Sequence, residues 1–192
     1  MLMDRSFSSS FARGPRPAAQ TPNACRPLHG RREVLAWIGA SALVGASPGM
    51  AQAAPARLGE AVSWPEVTLL DGRRWGAAQA SGKTVVVVFW STTCPFCLRH
   101  NAHVEKLRRA AAGRPLEILT VARDKEAAAV RAYLERHGYG FAVTMDQAPM
   151  SAALSTRRVI PLTAVIEPSG RLRQLIPGEM FEDDVMELLP PA

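Results

Sequence analysis

The sequence contains few cysteines, few aromatic residues and no long apolar run. Only three of its 192 residues are cysteine, and 6% are aromatic. A structural zinc site takes four ligands, and the chain has no second C-x-x-C motif to complete one. The apolar segment at residues 34–46 is about 13 residues long, short of the roughly 20 that a membrane-spanning helix needs. These absences argue against a zinc knuckle and against a helix that spans the bilayer comfortably.

The positive charge of the chain is concentrated near its N-terminus. The formal net charge is +6. Six arginines but only two acidic residues lie in residues 1–53, so the remainder is almost balanced. A basic patch with interleaved aromatic residues, the pattern typical of nucleic-acid recognition, is not present. We therefore expect no nucleic-acid partner.

Residues 1–53 are predicted to be a disordered segment followed by a cleavable signal peptide. Residues 1–30 are rich in Ser, Pro, Arg and Ala and have no apolar periodicity, as in disordered segments. Arg31 and Arg32 then precede the apolar run at residues 34–46 and a small-x-small sequence, which is the order of a signal peptide. The adjacent arginines favour the twin-arginine export route. Their flanking residues depart from the usual pattern, so a general secretory signal or an uncleaved anchor remains an alternative.

Cleavage at the end of this leader would leave a mature chain with two cysteines. Cys25 would be removed, and only Cys94 and Cys97 would remain. A pair with no spare thiol suits an oxidising compartment, where a third thiol would cross-link wrongly. We expect residues 54–60 to be a linker and residues 61–192 to be the folded domain, soluble in the periplasm.

One stretch of the mature chain carries the chemistry. Residues 84–90 form a β-branched and aromatic run that predicts a strand buried on both faces. A short loop with Cys94, Pro95, Phe96 and Cys97 follows, and then a helical segment. Pro95 suits the first turn of a helix, so Cys94 lies at the helix N-terminus, where free N–H groups and the helix dipole stabilise a thiolate.

A strand, a C-x-x-C motif and a helix in this order are typical of a thioredoxin-type redox site. In that chemistry Cys94 attacks a client disulfide as a thiolate, and Cys97 then resolves the mixed disulfide. The alternative is a metal site formed by Cys94, Cys97, His100 and His103. Each three-residue step along a helix turns the side chain by about 60°. Because His103 then points away from Cys94, we expect no metal.

Three segments carry a family resemblance. They are residues 82–90, the Cys94-Pro95-Phe96-Cys97 motif, and residues 160–163 (Ile-Pro-Leu-Thr). Together they resemble the TlpA-like exported thiol–disulfide oxidoreductases, of the ResA and CcmG type, in the thioredoxin superfamily. The resemblance implies an α/β thioredoxin-like fold, a central mixed β-sheet flanked by helices, with an added N-terminal β-hairpin.

The apolar periodicity gives the element order in the same domain. Residues 67–75 predict the hairpin, with an Asp-Gly turn. The segments after it predict the order β-α-β-α-β-α-β-β-α, ending in an amphipathic helix at residues 181–189.

The resemblance also implies how the site binds its partners. A cis Ile160–Pro161 peptide next to the cysteines would leave the Ile160 backbone free to pair with an extended client segment. We expect clients to contact a surface formed by Trp90, Pro95, Phe96, Ile160 and Pro161. The resemblance implies no bound cofactor, clients with disulfides or oxidised cysteines, and a membrane electron donor of the thiol-transporting type. We expect the protein to be a monomer.

The residues between the two cysteines bear on the direction of exchange. Pro95 and Phe96 offer no donor and no charge to stabilise a thiolate, whereas strongly oxidising relatives have His there. This favours a reductase over an oxidase. Arg99 and His100 act in the opposite sense, because positive charge near Cys94 would raise the reduction potential.

Some positions depart from the patterns of related families. Many thioredoxins have a buried Asp six residues before the first cysteine, but this chain has Val88, so no residue is assigned as proton acceptor for Cys97. A peroxiredoxin-like peroxidase is an alternative function, yet Ser91 and Val87 stand where that family has Thr and Pro. A copper or zinc carrier using both cysteines and His100 is the second alternative.

The paired arginines of the leader generate a testable prediction. Changing Arg31 and Arg32 to Lys keeps the charge but removes the recognition on which the twin-arginine route depends, so export should stop. Fractionation of cells that express the double variant would measure this. Normal export of the double variant would instead indicate the general secretory route.

Overall fold

A strand buried on both faces runs through the centre of the domain. The computed structural model describes residues 54–191, so the predictions for the disordered segment, the signal peptide, Arg31 and Arg32 lie outside the described residues. Within them the elements are β1 Val67–Thr68, β2 Arg74–Trp75, α1 Ala77–Ala80, β3 Thr84–Trp90, α2 Pro95–Ala110, β4 Leu116–Ala122, α3 Ala127–His137, β5 Ala142–Thr144, α4 Gln147–Leu154, β6 Leu162–Ile166, β7 Leu172–Pro177 and α5 Glu182–Met186.

The main sheet is mixed and has β3 at its centre. Its strand order is β5-β4-β3-β6-β7. β3 pairs in parallel with β4, and β4 pairs in parallel with β5. β6 is antiparallel to both β3 and β7. The predicted thioredoxin-like mixed sheet is confirmed.

The predicted N-terminal hairpin is also present. β1 and β2 pair antiparallel, with Val67 opposite Trp75. Gly72 has a φ of +86°, a left-handed conformation that glycine adopts without a steric cost, so the Asp-Gly sequence permits the tight turn.

The core lies on both faces of β3, because successive strand residues point to opposite sides. On one face Val85, Val87 and Phe89 pack with apolar residues of the hairpin and α4. On the other face Val86, Val88 and Trp90 pack with apolar residues of α2, α3 and the C-terminal segment. Every residue of β3 except the first is buried, which explains its near-continuous apolar sequence.

Two short helices differ from the prediction. α1 was not predicted; its four residues are too few to show a period, and the side chain of Gln79 accepts a hydrogen bond from Gly76 N–H at its start (2.9 Å). α5 ends at Met186 rather than at residue 189. The N–H groups of Leu188 and Leu189 donate to carbonyls three residues back, which is the tighter 3₁₀ pattern, just before Pro190.

The order of the remaining elements agrees with the prediction. None of the helices within residues 54–191 has both the length and the apolarity required to cross a membrane.

Candidate active site

The two cysteines lie where the central strand gives way to a helix. Cys94 is the N-cap residue of α2, and Pro95 occupies the first turn. Cys94 Sγ accepts a hydrogen bond from Cys97 N–H at 3.2 Å. The sulfur therefore occupies the place of a capping oxygen and faces the positive end of the helix dipole. Both thiols are free.

Cys94 and Cys97 differ in their exposure. Cys94 is half-buried, whereas Cys97 is fully buried. Burial raises the pKa of Cys97 to about 12, and the nearby Cys94 adds to the rise, while a backbone hydrogen bond from Ser91 opposes it. At neutral pH Cys97 is therefore a thiol.

A carboxylate that the sequence analysis missed holds the loop before Cys94. Asp124 accepts hydrogen bonds from Thr92 N–H (3.1 and 3.2 Å), Thr92 Oγ1 (2.5 Å) and Ser91 Oγ (3.2 Å). Its negative charge also contributes to the raised pKa of Cys97. The sequence could have placed Asp124 near the cysteine loop, since it lies just after β4. The carboxyl ends of neighbouring parallel strands meet at one edge of a sheet.

The predicted cis-proline loop lies against the first cysteine. The Ile160–Pro161 peptide is cis, as predicted. Cys94 Sγ lies 3.9 Å from the carbonyl oxygen of Ile160. Pro161 is buried and Ile160 is half-buried, so Ile160 provides the accessible part of this loop.

The predicted client-facing residues are only partly on the surface. Pro95 and Phe96 are exposed, Phe96 by 55%. The placement of Trp90 on this surface is wrong: its side chain is fully buried and packs against Tyr133 and Phe141. Trp90 belongs to the even-numbered residues of β3, which point into the helix-covered face.

A buried histidine connects α2 with the cis-proline strand. His100 Nδ1 accepts a hydrogen bond from Met180 N–H at 3.2 Å. The other ring nitrogen, Nε2, therefore carries the proton and donates to Thr163 Oγ1 at 3.0 Å. Burial, with a contribution from His103, lowers the pKa of His100 to about 4.

The structure therefore corrects the expectation that the charge of His100 affects Cys94. The ring is neutral at physiological pH and both of its nitrogens are occupied. Arg99 keeps its charge but shares it with Glu179 in a two-point ion pair of 2.7 and 2.5 Å. Its guanidinium also lies 5.2 Å above the ring of Phe96.

The four metal-ligand candidates do not converge. His103 Nδ1 donates a hydrogen bond to the carbonyl oxygen of Met180 at 3.2 Å. Across residues 54–191, no three His, Cys, Asp or Glu side chains are grouped in a way that could hold a metal ion.

The fold and the paired cysteines at a helix N-terminus define a thioredoxin-like thiol–disulfide oxidoreductase. The chain belongs to the Redoxin family, whose model matches residues 58–189. Among curated relatives, the thiol-disulfide oxidoreductase ResA of Halalkalibacterium halodurans is 29% identical over 125 residues, which are 64% of this chain and 71% of the relative. ResA of Geobacillus thermodenitrificans is 27% identical over 120 residues, 62% of this chain and 69% of the relative.

Solved structures support the same fold. The thiol:disulfide interchange protein of Chlorobium tepidum has a TM-score of 0.63 and 23% identity, covering 71% of this chain and 97% of that one. StoA of Bacillus subtilis has a TM-score of 0.58 and 15% identity, covering 67% and 98%. The resemblance to the TlpA-like oxidoreductases is confirmed.

The buried histidine gives the folded domain a specific pH dependence. With an ordinary pKa of 6.5 in the unfolded chain and about 4 in the folded one, His100 takes up a proton on unfolding between these values. The contribution of the neutral His100 ring to the stability of the fold is therefore fully present above pH 6.5 and is lost as the pH falls towards 4. The loss should be on the order of 2–3 kcal/mol in the free energy of unfolding.

Urea denaturation at several pH values would measure this loss. We expect a His100→Gln variant, whose amide keeps a donor and an acceptor, to lack this part of the pH dependence. His137→Gln, which changes an exposed histidine of α3, should follow the wild-type curve. If His100→Gln and the wild type lost stability in parallel, the buried neutral histidine would be contradicted.

Proposed function

We propose that this oxidoreductase reduces disulfides in client proteins outside the cytoplasm, with Cys94 as the nucleophile and Cys97 as the resolving thiol. The observation that carries the proposal is the asymmetry of the pair. Cys94 Sγ is accessible and accepts an N–H at the start of α2, whereas Cys97 is fully buried with a pKa of about 12. A thiolate at the first position attacks, and a shielded thiol at the second awaits the mixed disulfide.

The reaction proceeds in two exchanges. The Cys94 thiolate attacks one sulfur of the client disulfide, a Cys94–client disulfide forms, and the other client sulfur leaves as a thiolate and is protonated. Cys97 then loses its proton and attacks Cys94 Sγ, which releases the second client thiol. Two electrons pass to the client, and the protein is left with a Cys94–Cys97 disulfide.

Client binding is proposed to use the backbone next to Cys94. The Ile160 carbonyl lies 3.9 Å from Cys94 Sγ, and residues 156–160 belong to no strand of the sheet. An extended client segment that pairs with this backbone would bring its own cysteine to Cys94. Phe96 and Ile160 would supply apolar contacts on either side of the sulfur.

The proposal also includes an electron source and a compartment. Each turnover leaves a disulfide that a dithiol donor must reduce, and we propose a membrane protein that transports thiol electrons outwards. The predicted leader and the two-cysteine mature chain support a periplasmic location. The ResA relatives are named thiol-disulfide oxidoreductases, which supports the same class of reaction.

The two alternative functions have less support. A peroxidase of the peroxiredoxin type is disfavoured by Ser91 and Val87, and peroxide consumption by the reduced protein would test it. A copper carrier would need His100 beside the cysteines, but both ring nitrogens are bonded to Thr163 and Met180. Metal analysis of the reduced protein would test that alternative.

The assignment of the two cysteines can be tested by trapping. Cys97→Ser should accumulate mixed disulfides with clients, because the second exchange cannot occur, whereas Cys94→Ser should lose all exchange activity. Non-reducing electrophoresis and mass spectrometry of the trapped species would measure both effects. In the reduced wild type, iodoacetamide at neutral pH should modify Cys94 first, since Cys97 is shielded and protonated. Faster modification of Cys97 would reverse the assignment.

The direction of exchange can be tested by the reduction potential. We expect a value nearer to that of thioredoxin, about −270 mV, than to that of DsbA, about −120 mV. His100 is neutral and Arg99 is paired with Glu179, so neither side chain gives the Cys94 thiolate the stabilisation of a free positive charge. Equilibration with thiol buffers, read by tryptophan fluorescence, would give the value.

A substitution in the motif provides the matched comparison. Phe96→His should raise the potential, because an imidazole between the cysteines favours the thiolate and hence the reduced form. Leu98→His places the same group on the exposed side of the next turn and should change the potential less. A wild-type value above about −150 mV would place the protein among the oxidases.

A further inference from the structure

The loop that leads into the cis-proline is basic and exposed. Arg157 and Arg158 are both solvent-accessible, as is the neighbouring Val159. In the part of the chain that the structure describes, neither arginine forms an ion pair. Two uncompensated positive charges therefore lie two and three residues before Ile160.

A third arginine binds the backbone of this loop. Arg123 donates one hydrogen bond to the carbonyl of Arg157 and one to that of Arg158, both at 2.8 Å. Its guanidinium lies 5.1 Å over the ring of Phe89. The pKa of Arg123 is lowered by burial and by the positive charge of Arg158. Arg123 thus holds the backbone of the loop, and its guanidinium is close enough to Arg158 to feel that charge.

An open cleft lies among these side chains. Its volume is about 420 Å³, and its lining consists of hydrogen-bond donors without a carboxylate: Arg123, Gln147, Ser151, Thr156, Arg157 and Arg158. The nearest acidic residues in sequence are engaged elsewhere. Asp124 is bonded to Thr92 and Ser91, and Asp146 accepts the N–H of Thr68 at 2.8 Å.

We propose that this cleft binds a Glu or Asp side chain of the client, so that the protein prefers disulfides with an acidic residue two or three positions from the attacked cysteine. The inference rests on the client reduction proposed above. Its basis is charge complementarity, since a basic cleft lined by hydrogen-bond donors, on the loop that leads to Ile160, matches a carboxylate.

The distance follows from the geometry of an extended chain. A client segment paired with Ile160 has its cysteine at Cys94, and each further residue advances about 3.3 Å. Arg158 and Arg157 lie two and three residues before Ile160, so the reach of the chain places their backbone at most about 7–11 Å from it. Because the loop passes the sulfur in one direction only, the acidic residue must lie on one side of the client cysteine and not on the other.

Three single-cysteine peptides would test the preference. Each carries its cysteine as a disulfide with neutral 2-mercaptoethanol. One has Gln at the second and third positions on both sides, one has Glu at these positions before the cysteine, and one has Glu after it. The second-order rate constant with excess peptide and reduced wild-type protein is read by stopped-flow tryptophan fluorescence. One Glu peptide should react about tenfold faster than the Gln peptide at low ionic strength.

Two double variants with equal loss of charge complete the experiment. Arg157→Gln/Arg158→Gln should bring the Glu-to-Gln rate ratio close to one. Arg171→Gln/Arg173→Gln should keep the preference. These control residues lie at the opposite end of the sheet, because Leu172 pairs with Ile166 whereas Pro177 pairs with Leu162 beside Pro161.

The outcomes separate this inference from the proposed function. Equal rates for all three peptides, equal acceleration by Glu on both sides, or an equal loss of preference in both double variants would overturn the cleft while leaving client reduction intact. No reaction with any peptide would overturn the proposed function itself, and this inference with it.

Discussion

Burial of β3 on both faces is the constraint from which the site follows. The strand is enclosed only if sheet neighbours lie on both of its edges and helices on both of its faces. Its neighbours are β4, which runs parallel to it, and β6, which runs antiparallel. The end of β3 therefore meets the end of β4 and the start of β6. The cysteine loop, Asp124 and Ile160 converge at one edge of the sheet for this reason.

The same burial gives the two thiols different properties. Cys94 lies at the edge of the packed region and takes the place of a helix cap, whereas Cys97 faces the core one turn later. Below them His100 bonds to both Thr163 and Met180, which joins α2 to β6 and to the segment before α5. A neutral ring can make these two bonds in a dry interior, where a charged one would be costly.

Much of the architecture could be predicted from local patterns. The apolar run of β3, Pro95 after Cys94 and the Asp-Gly turn each reflect a steric or capping rule that acts within a few residues. The fold class, the hairpin and the order of the main elements were correct for this reason. α1 was missed because four residues show no period, and the last helix was predicted too long because apolar spacing does not reveal a 3₁₀ ending.

The site was less predictable where it depends on tertiary position. Trp90 is the last residue of β3, shortly before the cysteine loop, and was placed on the surface, but the alternation of β3 points it inwards. His100 was expected to act through a positive charge. The sequence could not show its burial, because β6 and Met180, which enclose it, are distant in the chain. Asp124 and Arg123 reach the site through the pairing of β3 with β4, so only their position at the carboxyl end of β4 could have marked them.

The contact between Cys94 and Ile160 joins residues that are 66 positions apart in the chain. Contacts of such separation form late in folding, because closing a long loop costs entropy before any packing is gained. Helix α2 and its capping sulfur need only local contacts. A partly folded chain therefore presents its thiol pair without the backbone edge that would hold a client next to it, and selectivity arises only when the sheet is complete.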